Sequence, residues 1–156
     1  MNLREVVAAV VDPELRVITI DELGILRSID RDQSTGRVTV TITPTYTGCP
    51  AMDVIRTDIT RALAGEGFPD VEVRTVLRPA WSTEMISDDG RRKLAAAGIA
   101  PPSTTRSSVV MIGLSVACPR CGSLDTEEIS RFGSTACKAL WRCRACAEPF
   151  DRVKPL

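Results

Sequence analysis

"GRVTVTITPTYTGCPAMDVIRTDITRALAGEG", residues 36–67, changes its hydrophobic period halfway along. In the first half Val38, Val40 and Ile42 alternate with Thr39, Thr41 and Thr43, which predicts a half-buried β-strand. In the second half Met52, Ile55, Ile59, Ala62 and Leu63 recur at three- and four-residue steps, which predicts a helix from about Pro50 to Ala64. Proline suits the first helical position, and Gly65 and Gly67 close the far end. A Thr-rich strand therefore runs into a helix, and a cysteine, Cys49, sits at the junction.

The segments around it extend the pattern. "LREVVAAVV" (3–11) places Leu3, Val6, Val7 and Val10 on one helical face, and Pro13 in "DPEL" (12–15) ends it. "LGILRSIDRD" (23–32) is predicted to pair with the 36–44 strand across the turn "DQSTG". "VEVRTVL" (71–77) alternates as a third strand, and 88–98 forms a second short helix. The order helix-strand-strand-helix-strand predicts an α+β fold, a small open α/β layer with helices on one face. "IAPPSTTRSS" (99–108) is the best boundary in the chain, so the expected domains are 1–98, a linker 99–108, and 109–156.

Composition narrows the function. The chain has 156 residues, 44% hydrophobic and 26% charged, as in ordinary soluble proteins. Lys+Arg and Asp+Glu both total 20, so no net field draws the chain to nucleic acid or an anionic membrane. No apolar run is long enough to span a bilayer and no signal peptide is visible, so a cytoplasmic location is expected. Histidine is absent, which removes Ser-His and Cys-His catalytic pairs and every His-containing metal site. A hydrolase is thereby disfavoured.

Five of the six cysteines lie beyond residue 117. "CPRC" and "CRAC" place Cys118/Cys121 and Cys143/Cys146 in two Cys-x-x-Cys pairs separated by 21 residues. Two such turns can present four thiolates tetrahedrally, and a tail of about 48 residues with few large apolar side chains needs such a staple. A structural four-cysteine zinc site is expected; a rubredoxin-like iron site uses similar pairs, and two disulfides are the competing reading. Cys137 is read as a small buried residue.

Cys49 is a different case. At a helix start, unpaired N–H groups and the helix dipole favour an anion, so a lowered thiol pKa is expected. A partly buried cap residue is an equally good reading of position alone. Asp12, Glu14, Asp21 and Glu22 are acidic loop residues that could share a site with it.

Taken together, "DPEL", "TIDELGILRSI", "TPTYTGCPAMD", "RPAWSTEMIS", "CPRCGS", "FGSTACKALWRC" and "CAEPFD" resemble the D subunits of bacterial phenylacetyl-CoA epoxidases (PaaD/PaaJ) over roughly residues 6–154. The first part alone resembles the wider SufT-like family of iron–sulfur assembly factors. By this resemblance Asp12, Pro13 and Glu14 match a DPE motif, Leu23 and Gly24 the end of DLG, and Thr47 and Cys49 the thiol motif. Glu22 stands where that family has Asp, so a carboxylate is kept but its reach changes by one methylene. Cys118, Cys121, Cys143 and Cys146 match the zinc-ribbon tail.

The resemblance implies an accessory protein that helps mature the iron-containing parts of a multicomponent ring-epoxidising monooxygenase in aerobic phenylacetate degradation. It implies transient iron or an iron–sulfur cluster at Cys49 and oxygenase and reductase components as partners; it does not establish catalysis by the chain itself, and an assembly factor is favoured over an enzyme. A stoichiometric structural or regulatory subunit is the alternative. Nucleic acid and membrane are not expected partners, and homodimerisation is left open.

Overall fold

The computed structural model describes residues 2–102 and 116–155. It divides into two compact units, Met1–Gly90 and Arg91–Leu156. In the first, a short helix α1 (Leu3–Ala8) precedes strands β1 (Leu26–Arg31) and β2 (Val38–Ile42), helix α2 (Ala51–Gly65) and strand β3 (Val71–Thr75). The sheet order is β1-β2-β3. β1 and β2 are antiparallel, with Ile29 opposite Val40, whereas β2 and β3 are parallel, with Val40 opposite Val73. A parallel pair needs a crossover, and α2 is that crossover.

The period change predicted at residues 36–67 is what the structure builds. Val38, Val40 and Ile42 are fully buried while Thr39 and Thr41 are half-buried. α2 turns Ala51, Met52, Ile55, Ile59 and Leu63 inward. These side chains join Val7, Leu15, Ile18, Ile20, Leu23 and Ile25 among the buried residues of this unit.

α1 and β1 are each cut short of the predicted span by a tertiary contact. α1 carries a capping box between Asn2 and Glu5 but stops at Ala8. Beyond it the chain turns to pair with residues 18–20: Ile20 N–H donates to the Val10 carbonyl and Asp12 N–H to that of Ile18. β1 begins at Leu26 because residues 23–25 belong to a turn, with Leu23, Gly24 and Ile25 N–H groups bonded back to Thr19, Asp21 and Ile20. Gly24 has φ +80°, and a Cβ there would lie 2.6 Å from the Met85 carbonyl oxygen. Only glycine fits so close an approach in that conformation.

The segment that approaches is 79–90. Trp81, 6% exposed, donates its indole N–H to the Leu23 carbonyl at 2.8 Å, and Ser87 N–H donates to that of Glu22 at 2.9 Å. The "RPAWSTEMIS" segment is therefore a clasp over the 20–24 turn.

The division between units falls inside helix α3 (Asp88–Ala96). Strands β4 (Ile99–Ala100), β5 (Thr126–Ser130), β6 (Lys138–Cys143) and β7 (Pro149–Val153) form a second sheet in the order β4-β7-β6-β5. Residues 99–100, expected to open the linker, instead pair in parallel with Asp151 and Arg152. Apolar Ile99 and Ala100 ahead of two prolines suit a short edge strand, and Ala100 is buried. The rest of the expected linker from 103 onward lies outside the described residues. Ala100, Val116, Cys118, Ala139, Trp141, Cys143 and Phe150 form the core of this unit.

Candidate functional site

The ribbon cysteines converge. Cys118 and Cys121 lie on one turn; Cys143 ends β6 and Cys146 lies on the turn that leads to β7. Their four sulfurs all lie within 4.8 Å of one another. Cys118 and Cys146 Sγ are 3.8 Å apart, and Cys121 and Cys143 Sγ are 3.6 Å apart. A tetrahedral metal with sulfur arms of about 2.3 Å requires a sulfur–sulfur edge of about 3.8 Å, whereas a disulfide requires about 2.05 Å. The donor set fits a metal, and all six cysteines are free thiols.

Backbone amides orient these sulfurs. The Cys146 N–H points at Cys143 Sγ at 3.5 Å and holds that thiol down to about 7. Cys121 receives the Ser123 N–H, which favours its thiolate, yet the neighbouring Cys143 sulfur and desolvation push it up to about 12. Four crowded sulfurs cannot all ionise without a cation among them. Cys137 is buried, lies outside the tetrad and contacts the Thr135 hydroxyl at 3.1 Å.

Cys49 is seated by a turn. Its N–H donates to the Tyr46 carbonyl at 3.4 Å, and Gly48, the third residue of that turn, has φ +81° as a type II turn demands. Pro50 already has helical angles (φ −67°, ψ −22°), and the Cys49 carbonyl accepts from Met52 N–H. The thiol thus stands at the start of α2, half-buried, facing the Ala51 N–H.

The expected lowering of its pKa does not occur. Burial pushes the Cys49 thiol up. The Ala51 N–H and a side-chain hydrogen bond from Tyr46 oppose this, but the charges of Glu14 and Asp12 add to the rise. The helix-start argument is sound in sign; desolvation and two nearby carboxylates outweigh it.

The fold brings Asp12 and Glu14 into electrostatic reach of Cys49, from opposite sides of a proline 35 residues or more earlier in the chain. Asp12 is 3% exposed, and its Oδ1 accepts the Glu14 and Leu15 N–H groups at 2.9 and 2.6 Å. Glu22 has another duty: its carboxylate accepts the Thr19 N–H while its own N–H donates to the Thr19 hydroxyl. Asp21 pairs with Arg4 at the surface. Thr47 is exposed at the second position of the Cys49 turn. Among the described residues the ribbon tetrad is the group of three or more cysteine or acidic side chains whose ligand atoms converge; Cys49, Asp12 and Glu14 do not form such a group.

Sequence reasoning passes over Tyr46 and Trp81. Each is one of the few aromatic residues in a chain that is 4% aromatic, and that scarcity is the available signal. Among the described residues, no helix is long and apolar enough to cross a membrane.

Comparison with known proteins places both units. Residues 2–77 match the family described as "Iron-sulfur cluster assembly protein", and residues 103–154 match the "PaaD zinc beta ribbon domain". A protein of Bacillus subtilis (strain 168) named Fe-S protein maturation auxiliary factor YitW is 34% identical over 55% of this chain and 83% of its own length. The crystal structure of a domain of unknown function, DUF59, from Bacillus anthracis superposes with a TM-score of 0.54 at 31% identity, over 59% of this chain and 87% of its own. A protein of Escherichia coli (strain K12), named as the D subunit of a 1,2-phenylacetyl-CoA epoxidase, is 45% identical over 92% of this chain and 85% of its own length. With an iron–sulfur-assembly unit and a four-cysteine ribbon matched in one chain, this protein belongs to the family of phenylacetyl-CoA epoxidase D subunits.

Proposed function

We propose that the chain is an accessory maturation protein of a phenylacetyl-CoA epoxidase, a multicomponent ring-epoxidising monooxygenase of aerobic phenylacetate degradation. It would act in the cytoplasm on the oxygenase and reductase components and aid their iron or iron–sulfur assembly. The observation that carries this reading is the union, in one chain, of the iron–sulfur-assembly match with the PaaD ribbon match. The charges of Asp12 and Glu14, which act on the half-buried Cys49 thiol, support it.

The electrostatics favour cargo over covalent catalysis. A nucleophilic thiol is ordinarily helped by a histidine base or a depressed pKa; the chain lacks histidine, and burial raises the Cys49 thiol. The same two carboxylates that disfavour a thiolate would favour a bound cation. Since Cys49, Asp12 and Glu14 do not converge as the tetrad does, we read the hold on iron as transient. Zinc is our assignment for the tetrad, because four protein sulfurs leave no open position for chemistry. Its role is to fold the ribbon that docks the client.

The test is to isolate the iron-containing epoxidase subunits from cells with and without this protein. Iron content and activity should fall in its absence, and Cys49→Ser should fail to restore growth on phenylacetate to a deletion strain. Full restoration by Cys49→Ser would remove Cys49 from the mechanism. The Escherichia coli relative is named as a component of the epoxidase itself, which favours a second reading, a stoichiometric structural or regulatory subunit. Stable co-purification with the oxygenase components, unaffected by Cys49→Ser, would select it.

A further inference from the structure

The ribbon contains a buried cation with no ion-pair partner within 4.0 Å among the described residues. Arg152, on β7, is 6% exposed, and its Nε has no hydrogen-bond partner. Its guanidinium makes no ion pair within 4.0 Å among the described residues. It lies over the ring of Trp141, with Cζ 5.1 Å from the ring centroid. Trp141 is 5% exposed, and its indole N–H is the other buried side-chain donor left unsatisfied among the described residues. Both unpartnered donors of this kind therefore sit side by side on one face of one sheet.

The strand register explains how they meet. Trp141 pairs with Phe150 and Ala139 with Arg152, so all four side chains lie on the same face. Ala100 is the neighbour of Arg152 on β4. Its flanking residues are thus two alanines, which bring no polar side-chain atom. The acidic residue whose charge acts on Arg152 is Glu128, the cross-strand neighbour of Trp141, but its carboxylate contacts Arg131 Nε at 3.8 Å. Lys138, the other buried cation among the described residues of this unit, shows the usual arrangement: it has Asp151 at 3.5 Å.

A buried Nε–H without an acceptor keeps its desolvation penalty, and stacking of the guanidinium on an indole face does not supply the missing acceptor. Nε and a neighbouring Nη of arginine present two parallel donors, matched to the two oxygens of a carboxylate, and the unsatisfied indole N–H belongs to the ring that the guanidinium covers. We infer that Arg152 and Trp141 form a carboxylate-binding site in the ribbon. The carboxylate comes either from a free small acid or from an acidic side chain of a polypeptide docked on the ribbon; the chemistry is the same.

The test uses the metal-loaded full-length protein and the ¹H–¹⁵N signal of the Trp141 indole, assigned with Trp141→Phe. Titration with sodium acetate should move this signal saturably, while sodium chloride at matched ionic strength should not. A signal that ignores acetate, or follows chloride equally, marks a site satisfied by water or bulk salt and overturns the proposal. Arg152→Lys keeps the charge but loses the fork and should weaken acetate binding by at least about tenfold; unchanged binding overturns it. Should Arg152→Lys not fold, Trp141→Phe followed through the Arg152 Nε–H signal serves the same purpose, with a smaller expected loss of about fivefold.

Two further arms close the alternatives. If acetate moves the signal only in Glu128→Gln, then Glu128 is the native partner of Arg152 and no external site exists. A glutamate-containing peptide that binds about tenfold more tightly than acetate identifies a polypeptide source, and equal affinity identifies a small acid. Arg152→Met should abolish the acetate response and raise the thermal midpoint, the signature of a charge retained for binding; a lower midpoint with the response intact would contradict the proposal.

Discussion

Gly122 and Ala147 occupy the same place in the two knuckles of the ribbon, each directly after the second cysteine of its pair, with φ +74° and +62°. One knuckle uses glycine for this left-handed position; the other forces an alanine into it. The left-handed conformation costs an L-residue about 1–2 kcal/mol, partly offset by the entropy glycine loses on folding. Ala147→Gly should stabilise the ribbon by roughly 0.5–1 kcal/mol, seen as slower metal loss to a chelator. Faster loss would show that the Ala147 methyl contributes packing that exceeds the strain.

Gly24 and Gly48 share a left-handed conformation but not an environment. A Cβ at Gly24 meets Met85 at 2.6 Å, whereas a Cβ at Gly48 meets nothing within 4 Å. Gly48→Ala should therefore cost about 1 kcal/mol, from the backbone conformation alone. Gly24→Ala should cost about 3 kcal/mol or more, because overpacking against the clasp is added. Urea denaturation of the two variants measures the difference, and equal losses would refute the clasp contact.

The titration of Cys49 should run high. Its raised pKa means that at a given pH less thiolate is present in the folded than in the unfolded chain. Alkylation of Cys49, followed by peptide mass spectrometry, should thus reach half its limiting rate at a higher pH in the native protein than in urea. Asp12→Asn removes one of the raising charges but keeps an oxygen for the Glu14 and Leu15 N–H groups. The half-point should then shift to lower pH; no shift would mean the Asp12 charge does not reach the thiol.

Metal loading of the ribbon should release protons in a pH-dependent number. Binding requires four thiolates. Cys143, at about 7, is ionised ahead of Cys121, which at about 12 is protonated until the metal arrives. The metal-free protein should release more protons per metal below about pH 6, where Cys143 is still protonated, than near pH ~8, where it is ionised. Calorimetry in buffers of different ionisation enthalpy gives the count. Cys118→Ser and Cys143→Ser should each abolish stoichiometric metal and unfold the second sheet while the first unit keeps its helical signal.

Much of the fold is legible locally. α2 is readable because Pro50 marks its start and Met52, Ile55, Ile59 and Leu63 keep one face of a 3.6-residue period. The tetrad is readable because Cys-x-x-Cys is itself a turn geometry, complete within four residues. β1 is overextended in the sequence reading because Leu23 and Ile25 are apolar whether in a strand or in a buried turn; the clasp from Met85 settles which. Ile99 and Ala100 read as linker because a two-residue strand has no period to detect.

What the sequence determined by itself was therefore whatever depends on neighbours along the chain: periodicity, turn chemistry, cysteine spacing and the absence of histidine. What only the tertiary structure decided depends on distance through space and on burial. It brought the charges of Asp12 and Glu14 to bear on Cys49 while giving Glu22 to its own turn, and it reversed the sign expected for the Cys49 thiol. It also placed Arg152 over Trp141 with neither donor satisfied. Charge and desolvation act over several ångströms regardless of sequence separation, so no reading of adjacent residues could have found them.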